Sequence, residues 1–468
     1  MPDTNAQPLP AAFVSQLIEF VGEKNVLTEK NECWNYGYDN SRGHALPQAV
    51  VFATSHSQVQ SIVSLCNEFS VPLTTRGRGT GTTGATVPLH AGLVVSLERM
   101  NKILRVDPAN RLIVAQSGVT NQDIQLAAAE HGFFWPPDPT SAAFCSIGGN
   151  LAYNSAGPRA VKYGTPRDNV LGLRAVSGAG KELQTGTFTT KGVVGYDLTR
   201  LLIGSEGTLA IITEATLKLT PLPASKRTMR VVYKDIFSAS EAVAAIMAQP
   251  VTPCALEFID HSAIEMIRDF STAELPDNAG ALLMVEVDGP ESAMDNAVES
   301  IRQAASNKGL LSFDEATSAE EIAALWATRK ALSPALRKVA PKKINEDVVV
   351  PVSHIPELIN GLERLAQQHG IKIVNFGHAG NGNIHVNLLI DPDDPVQMQA
   401  AQICLDEVFT LVLKLEGSLS GEHGVGIEKR DYIARELDKN ALTLMQAIRC
   451  QFDPNKILNQ DKTLPDSI

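Results

Sequence analysis

A chain of 468 residues is too long for one core of ordinary size, so two or more domains are expected. Hydrophobic residues at 44% and charged residues at 20% fit a globular protein and exclude a disordered or fibrous one. The net charge of -12, with no Lys/Arg-rich run, argues against a nucleic-acid partner, which clustered cations would have to neutralise.

At the start of the chain, MPDTNAQPLPAAF has no basic head followed by an apolar run and no transit-type arginines. No apolar stretch reaches the roughly 20 residues that span a bilayer. A cytoplasmic location is expected, with peripheral attachment at the inner face of the membrane as the other option. The six cysteines (Cys33, Cys66, Cys145, Cys254, Cys404, Cys450) are scattered and form no CxxC, against zinc ribbons, iron–sulfur clusters and disulfide frameworks.

Helical spacing of apolar residues covers 11–22. AVVFAT reads as a strand, and SHSQVQSIVSLCNEF as a helix opened by Ser55 or Ser57. VPLTTRGRGTGTTGATVP is a strand, glycine loop and turn; GLVVSL, ILRVD and RLIVAQSGV are strands, and NQDIQLAAAEHG is a helix. A proline- and glycine-rich stretch follows, then short strands and turns to about Leu222. Beyond the linker TPLPASK, strands alternate with amphipathic helices, the pattern of an antiparallel sheet covered by helices. The expected organisation is α+β: 1–222 as the first domain (core about 43–222), 223–430 as the second, and 431–468 packing back on the first.

Arg76 to Gly84 places four glycines within nine residues behind a strand. Such a loop lets backbone N–H groups converge on an anion, with Thr80, Thr82 and Thr83 adding hydroxyls. No GK[ST] follows, and no helix follows either, which speaks against Walker and Rossmann loops. Pro137–Ser141, Ile147–Asn150, Asn154–Gly157 and Gly204–Thr208 concentrate small residues and amides where backbone would approach a flat ligand. Each of these is also a plausible plain turn.

Near the other end, NFGHAGNGNIHVNLLI puts Asn383, His385 and Asn387 on one face of a strand, with His378 in the turn before it. SGEHGVG offers Glu422 and His423 among glycines. His378, His385 and Glu422 make a divalent-metal set with open positions; the alternative is that they only orient one another. A metal-dependent hydrolase whose glycine loop grips a phosphate would also use these parts.

The ordered run RGRGTGTTGA, LERMNKI, PPDPTS, SIGGNLAYNSAG, YGTPRDNVLG and GYDLTRLLIGSEGTLAIITEATLKL resembles the flavin-binding domain of the vanillyl-alcohol oxidase / p-cresol methylhydroxylase superfamily. Within it the chain looks like the branch of D-lactate dehydrogenases, glycolate oxidase and D-2-hydroxyglutarate dehydrogenase, from about Pro47 to Pro465. The resemblance implies a PCMH-type FAD-binding domain plus a substrate (cap) domain. It implies that Arg76, Gly77, Arg78, Gly79, Thr80, Gly81 and Thr82 cradle the FAD pyrophosphate, and that Ile147, Gly148, Gly149, Asn150 and Asn154 line the flavin. Asp138, Ser141, Gly207, Ile212 and Asn459 would complete that site. Thr80 stands where some members tether FAD to a histidine, so noncovalent FAD is expected.

The same resemblance makes His378, His385 and Glu422 the ligands of zinc or manganese, His423 the catalytic base and Arg329 the substrate-carboxylate partner. Lys343 is a second candidate contact, or else one of a solvated surface pair with Lys342. The family's HxGDGNxH has Asn381 in place of its aspartate, which removes a charge beside the ligands. The implied reaction oxidises a D-2-hydroxy acid, D-lactate-like or D-2-hydroxyglutarate, by hydride transfer to flavin N5. With no CxxC or haem motif, an external acceptor is expected: a quinone, a cytochrome or an electron-transfer flavoprotein. Quaternary state is open, a homodimer being one option.

Overall fold

The computed structural model describes residues 8–267 and 276–465, and the chain divides into two compact units. The first takes the chain up to residue 156, then 164–222 and the part from Glu422 onward; the second takes 157–163 and 223–421.

In the first unit, Val26–Leu27 (β1), Ala49–Phe52 (β2), Leu73–Arg76 (β3) and Leu93–Ser96 (β4) form a sheet in the order β1-β2-β4-β3. β2, β4 and β3 are parallel. β2 and β4 are buried at all four positions, as strands covered on both sides must be. The helix His56–Phe69 opens at Ser55, whose hydroxyl accepts the N–H of Gln58. It buries Val59, Ile62, Val63 and Cys66 at helical spacing against Val51, Val95 and the Phe13–Leu17–Val21 stripe of the helix Ala11–Val21.

A second, antiparallel sheet of the same unit uses Ile103–Asp107 (β5) and Leu112–Gln116 (β6), followed along the chain by Phe133–Phe134 (β7) of a small ribbon. Val170–Ser177 (β8), Glu182–Gly186 (β9) and Ala210–Lys218 (β10) complete the order β5-β6-β10-β8-β9, and Thr220–Pro221 (β11) pairs with β7. A register shift between Ile212 and Glu214 bends β10 at Thr213, whose carbonyl accepts the N–H of Ser117.

The second unit is one antiparallel sheet of seven strands. These are Ser225–Tyr233 (β12), Ala255–Asp260 (β13), Ala281–Gly289 (β14), Leu310–Ala316 (β15), Lys342–Val349 (β16), Lys372–His378 (β17) and Asn383–Ile390 (β18), in the order β15-β12-β14-β13-β17-β18-β16. Leu332 and Leu336 of the helix Ala319–Val339, with Ala263 and Ile264, cover Val374, Phe376 and Leu389 on one face. The antiparallel sheet under helices expected from the alternation is therefore present. Along the chain the units change over at 222/223 and again at 421/422, with 157–163 also counted in the second. The amides of Val425, Gly426 and Ile427 bond to Glu206 and Thr83 of the first unit, so the chain has already returned to it.

β17 and β18 form a hairpin with His378 opposite Asn383 and Phe376 opposite His385. Its turn needs Gly382, at φ +72°, where a Cβ would lie 1.8 Å from the carbonyl oxygen of Val350. Gly382→Ala combines left-handed strain with that clash, and we expect a loss of about 2–4 kcal/mol in stability. Thermal unfolding checks this; a melting temperature equal to the parent's would show that the turn adapts.

Candidate functional site

In the first unit, one cleft encloses about 560 Å³ of empty space, partly open to solvent. Gly77, Gly148, Gly149, Gly207, Ile212 and Asn459 line it, together with Thr75, Ser117, Ser146, Tyr153 and Glu206. The wall is built by close approach. A Cβ on Gly77 would stand 2.4 Å from Ser146 Oγ, and one on Gly148 2.7 Å from Ser117 Cβ. Asn459 is held from both sides: its Oδ1 accepts the N–H of Thr75 at 3.2 Å and its Nδ2 donates to the carbonyl of Glu206 at 2.6 Å. Three buried hydroxyls of this wall, Thr75 Oγ1, Ser117 Oγ and the Tyr153 OH, have no hydrogen-bond partner among the described residues. Buried hydroxyls without partners are costly, so a polar ligand in the cleft fits the residues present.

Other residues of the expected cofactor set have local work of their own. The Arg76 guanidinium donates to the carbonyls of Tyr38 and Asn35 and to Thr86 Oγ1, and Gly79 leaves room for it to fold back. Arg78 lies 3.8 Å from Glu98. The carbonyls of Thr80 and Gly81 accept the side-chain and backbone N–H of Asn40, and Thr82 sits in the same turn. Asn150 joins Asn121 Nδ2 to the carbonyl of Ser155, and Asn154, at φ +57°, accepts the N–H of Arg167. Ile147 is a core residue. Asp138 N–H bonds the carbonyl of Ala156, and the carbonyl of Ser141 accepts from Phe144 and Cys145.

The segment after Gly421 is pinned within this unit. Ser155 Oγ donates to the carbonyl of Glu422 at 3.0 Å and Thr83 Oγ1 to that of His423 at 3.2 Å. Glu206 accepts the next amides, Val425 and Gly426, at 2.7 Å each. Burial pushes the Glu206 carboxyl up to about 7, against those two N–H groups and the cations of Lys429 and Lys462.

In the second unit the central group is a residue the sequence reading missed. Glu257 of β13, 1% exposed, accepts from Arg329 Nε at 2.7 Å and pairs with His378 Nδ1 at 2.6 Å. Burial alone would raise its pKa, but His378 and Arg329 more than offset that and hold the carboxyl below its ordinary value. The ring nitrogens of His378 and His385 lie within 4.8 Å of one another. The Arg329 guanidinium also sits 4.9 Å over the Phe376 ring. With Glu257 on Nδ1, Nε2 is the nitrogen His378 would turn to an ion, the carboxylate–histidine arrangement of metal sites. Asn381 is exposed in the turn, so the carboxylate beside His378 is Glu257 instead.

β16 lies beside β18 with Asp347 opposite His385, Asn345 opposite Asn387 and Lys343 opposite Leu389. Asp347 is fully buried and accepts Ser420 Oγ at 3.1 Å and the N–H of Gly421 at 2.9 Å. Glu422 therefore follows, by one peptide bond, a residue fixed to the strand beside His385. The only sequence signal for Glu257 is a charged residue inside the apolar strand ALEFID, which a solvated face would explain equally well.

The FAD-linked oxidase C-terminal domain family matches residues 222–463, and an FAD-binding domain family matches 47–186. The chain belongs to the FAD-linked oxidases. It is 37% identical to glycolate oxidase subunit GlcD of Bacillus subtilis (96% of this chain, 95% of that one) and 33% identical to a D-lactate dehydrogenase of Anaerostipes hadrus (94% and 95%). Among solved structures, p-cresol methylhydroxylase with substrate bound superposes with a TM-score of 0.78 at 19% identity, over 97% of this chain and 96% of that one, and so shares the fold. This FAD-linked oxidase is thus an FAD-dependent oxidoreductase of PCMH-type fold, and its cleft in the first unit suits that cofactor. Among the described residues, no helix is long and apolar enough to cross a membrane.

Thr80 at the tethering position leads us to expect noncovalent FAD. Acid precipitation should leave yellow FAD in the supernatant; colour retained in the pellet would overturn this.

Proposed function

We propose that this oxidase converts a D-2-hydroxy acid, D-lactate-like in size, to the 2-oxo acid. The observation that carries the reading is the single carboxylate of Glu257 shared by His378 and Arg329. It ties a candidate metal-ligand histidine to a candidate carboxylate-binding guanidinium on one face of one sheet. A 2-hydroxy acid presents just these two functions, a hydroxyl and a carboxylate, on adjacent carbons.

His378, His385 and Glu422 would hold a divalent ion, zinc or manganese. When bound, the ion lowers the pKa of the substrate hydroxyl and the flavin accepts hydride. Arg329 holds the substrate carboxylate through paired N–H donors, its guanidinium plane fixed by Glu257 and Phe376. His423 takes the hydroxyl proton. Glu257 keeps His378 in the tautomer that offers Nε2 outward. A quinone, a cytochrome or an electron-transfer flavoprotein would take the electrons afterwards.

Lys343 shares the face of His385 but lies four residues along β16 from Asp347, the partner of His385. At about 3.4 Å per residue that separation is roughly 14 Å, beyond the reach of a three-carbon acid. A five-carbon dicarboxylate is the substrate that could extend to it, so D-2-hydroxyglutarate is the second reading.

Anaerobic flavin reduction by D-lactate and D-2-hydroxyglutarate tests the substrate assignment. Arg329→Lys should slow both acids by about ten- to a hundredfold in kcat/KM, the cost of about 1.5–3 kcal/mol for a lost charge-assisted contact. Lys343→Ala should spare D-lactate, and a selective loss on D-2-hydroxyglutarate would move the assignment to the dicarboxylate. Equal loss on both acids from Lys343→Ala would refute the division of roles.

Glu257→Gln tests the shared carboxylate without activity as the only readout. Zinc affinity, measured by competition with a chromogenic chelator, should fall by about ten- to a hundredfold, with FAD content unchanged. Parent-like zinc affinity would remove Glu257 from the metal's surroundings.

A further inference from the structure

Glu206 is an expensive residue where it stands. It is 4% exposed and carries φ +51°, a left-handed conformation that a side chain with a Cβ rarely adopts. Its backbone is fixed on both sides, the N–H to the carbonyl of Ala152 at 2.9 Å and the carbonyl to Asn459 Nδ2 at 2.6 Å. A buried carboxylate costs several kcal/mol unless donors meet it. Here the donors come from one place: Oε1 takes the N–H of Val425 and Oε2 that of Gly426. Gly424, at φ +79°, is the residue that allows the approach, since a Cβ there would stand 2.8 Å from Oε1.

These contacts flank His423. Hydroxyls of Ser155 and Thr83 hold the carbonyls of residues 422 and 423, and Glu206 holds the amides of residues 425 and 426. The backbone on both sides of the histidine is thereby fixed, which sets where its Cα stands. We infer that Glu206 is the positioning residue of the His423 segment, setting where the imidazole stands for proton transfer. The inference rests on the reading of His423 as the base. A wall residue of the cofactor cleft needs no bidentate hold on two amides beyond the histidine, and nothing in FAD binding by itself calls for one.

The test compares Glu206→Gln, Glu206→Asp and His423→Ala with the parent as FAD-loaded enzymes reduced anaerobically by D-lactate. In Glu206→Gln the amide NH2 meets an N–H it cannot accept, and in Glu206→Asp one methylene is missing. We expect both to keep FAD and its visible spectrum while the reduction rate constant falls about ten- to a hundredfold, the scale of a misplaced catalytic group. The apparent substrate Kd should change little. The solvent deuterium isotope effect should rise, because the hydroxyl proton becomes harder to remove; a structural loss elsewhere would not raise it. Flavin-loaded Glu206 variants reducing at the parent rate, or slowly with an unchanged solvent isotope effect, would overturn the inference. So would FAD loss with a parent-like rate in the loaded fraction, and Glu206→Asp decides if Glu206→Gln does not fold. Should His423→Ala reduce as fast as the parent, the base assignment itself fails; a slow His423→Ala beside normal Glu206 variants sinks only the positioning role.

Discussion

A carboxylate buried in a sheet must find its full complement of charge nearby, and Glu257 finds two partners. With 1% exposure it would be driven neutral by desolvation alone, yet His378 and Arg329 keep it below the ordinary carboxylate range. That requirement fixes three elements together: β13 carrying the carboxylate, the β17–β18 hairpin carrying the imidazoles, and the helix Ala319–Val339 carrying the guanidinium. Neither partner can leave without stranding a buried charge. Electrostatic necessity thus holds the histidines and the arginine at a constant separation.

The first unit solves a related problem with backbone. Its cleft holds three buried hydroxyls without a partner among the described residues, which a rigid apolar pocket would not tolerate and a polar cofactor would relieve. Glycines at 77, 148 and 207 let the main chain form the wall directly, so the hydroxyls and amides sit at fixed positions. The chain from Glu422 onward is fastened to the same wall through Ser155, Thr83 and Glu206. The segment bearing His423 consequently inherits the rigidity of the cofactor cleft.

Much of this was legible in the sequence, because periodicity and caps are local. Ser55 announced its helix, and buried runs such as AVVF announced strands. The glycines of GGN and GSEGT pointed to close backbone approach, and Gly148, Gly149 and Gly207 line the cleft. Glu257 and Glu206 were not legible as site residues. A glutamate in ALEFID or GSEGT is compatible with solvent exposure, and only long-range packing buries it. At Arg76 the sequence suggests an anion site at the head of a glycine loop, and the bonds of its guanidinium to the carbonyls of Tyr38 and Asn35 are again long-range contacts that no local pattern signals. Hydrogen bonds across more than 200 residues tie Val425 and Gly426 to Glu206, and no local pattern signals them.

The loss of an aspartate at Asn381 has a physical reading in this frame. In the turn Ala379–Asn381 the side chain is exposed, where a carboxylate would act through solvent and be screened. Glu257 acts on His378 at 2.6 Å with almost no water between, and charge in such surroundings counts for far more. A substitution at the exposed position can therefore be borne by a site whose tuning comes from a buried one. The same logic separates Arg329 from Lys343. The arginine is oriented by a buried carboxylate and an aromatic face, whereas the lysine lies four residues along β16 from Asp347, the partner of His385.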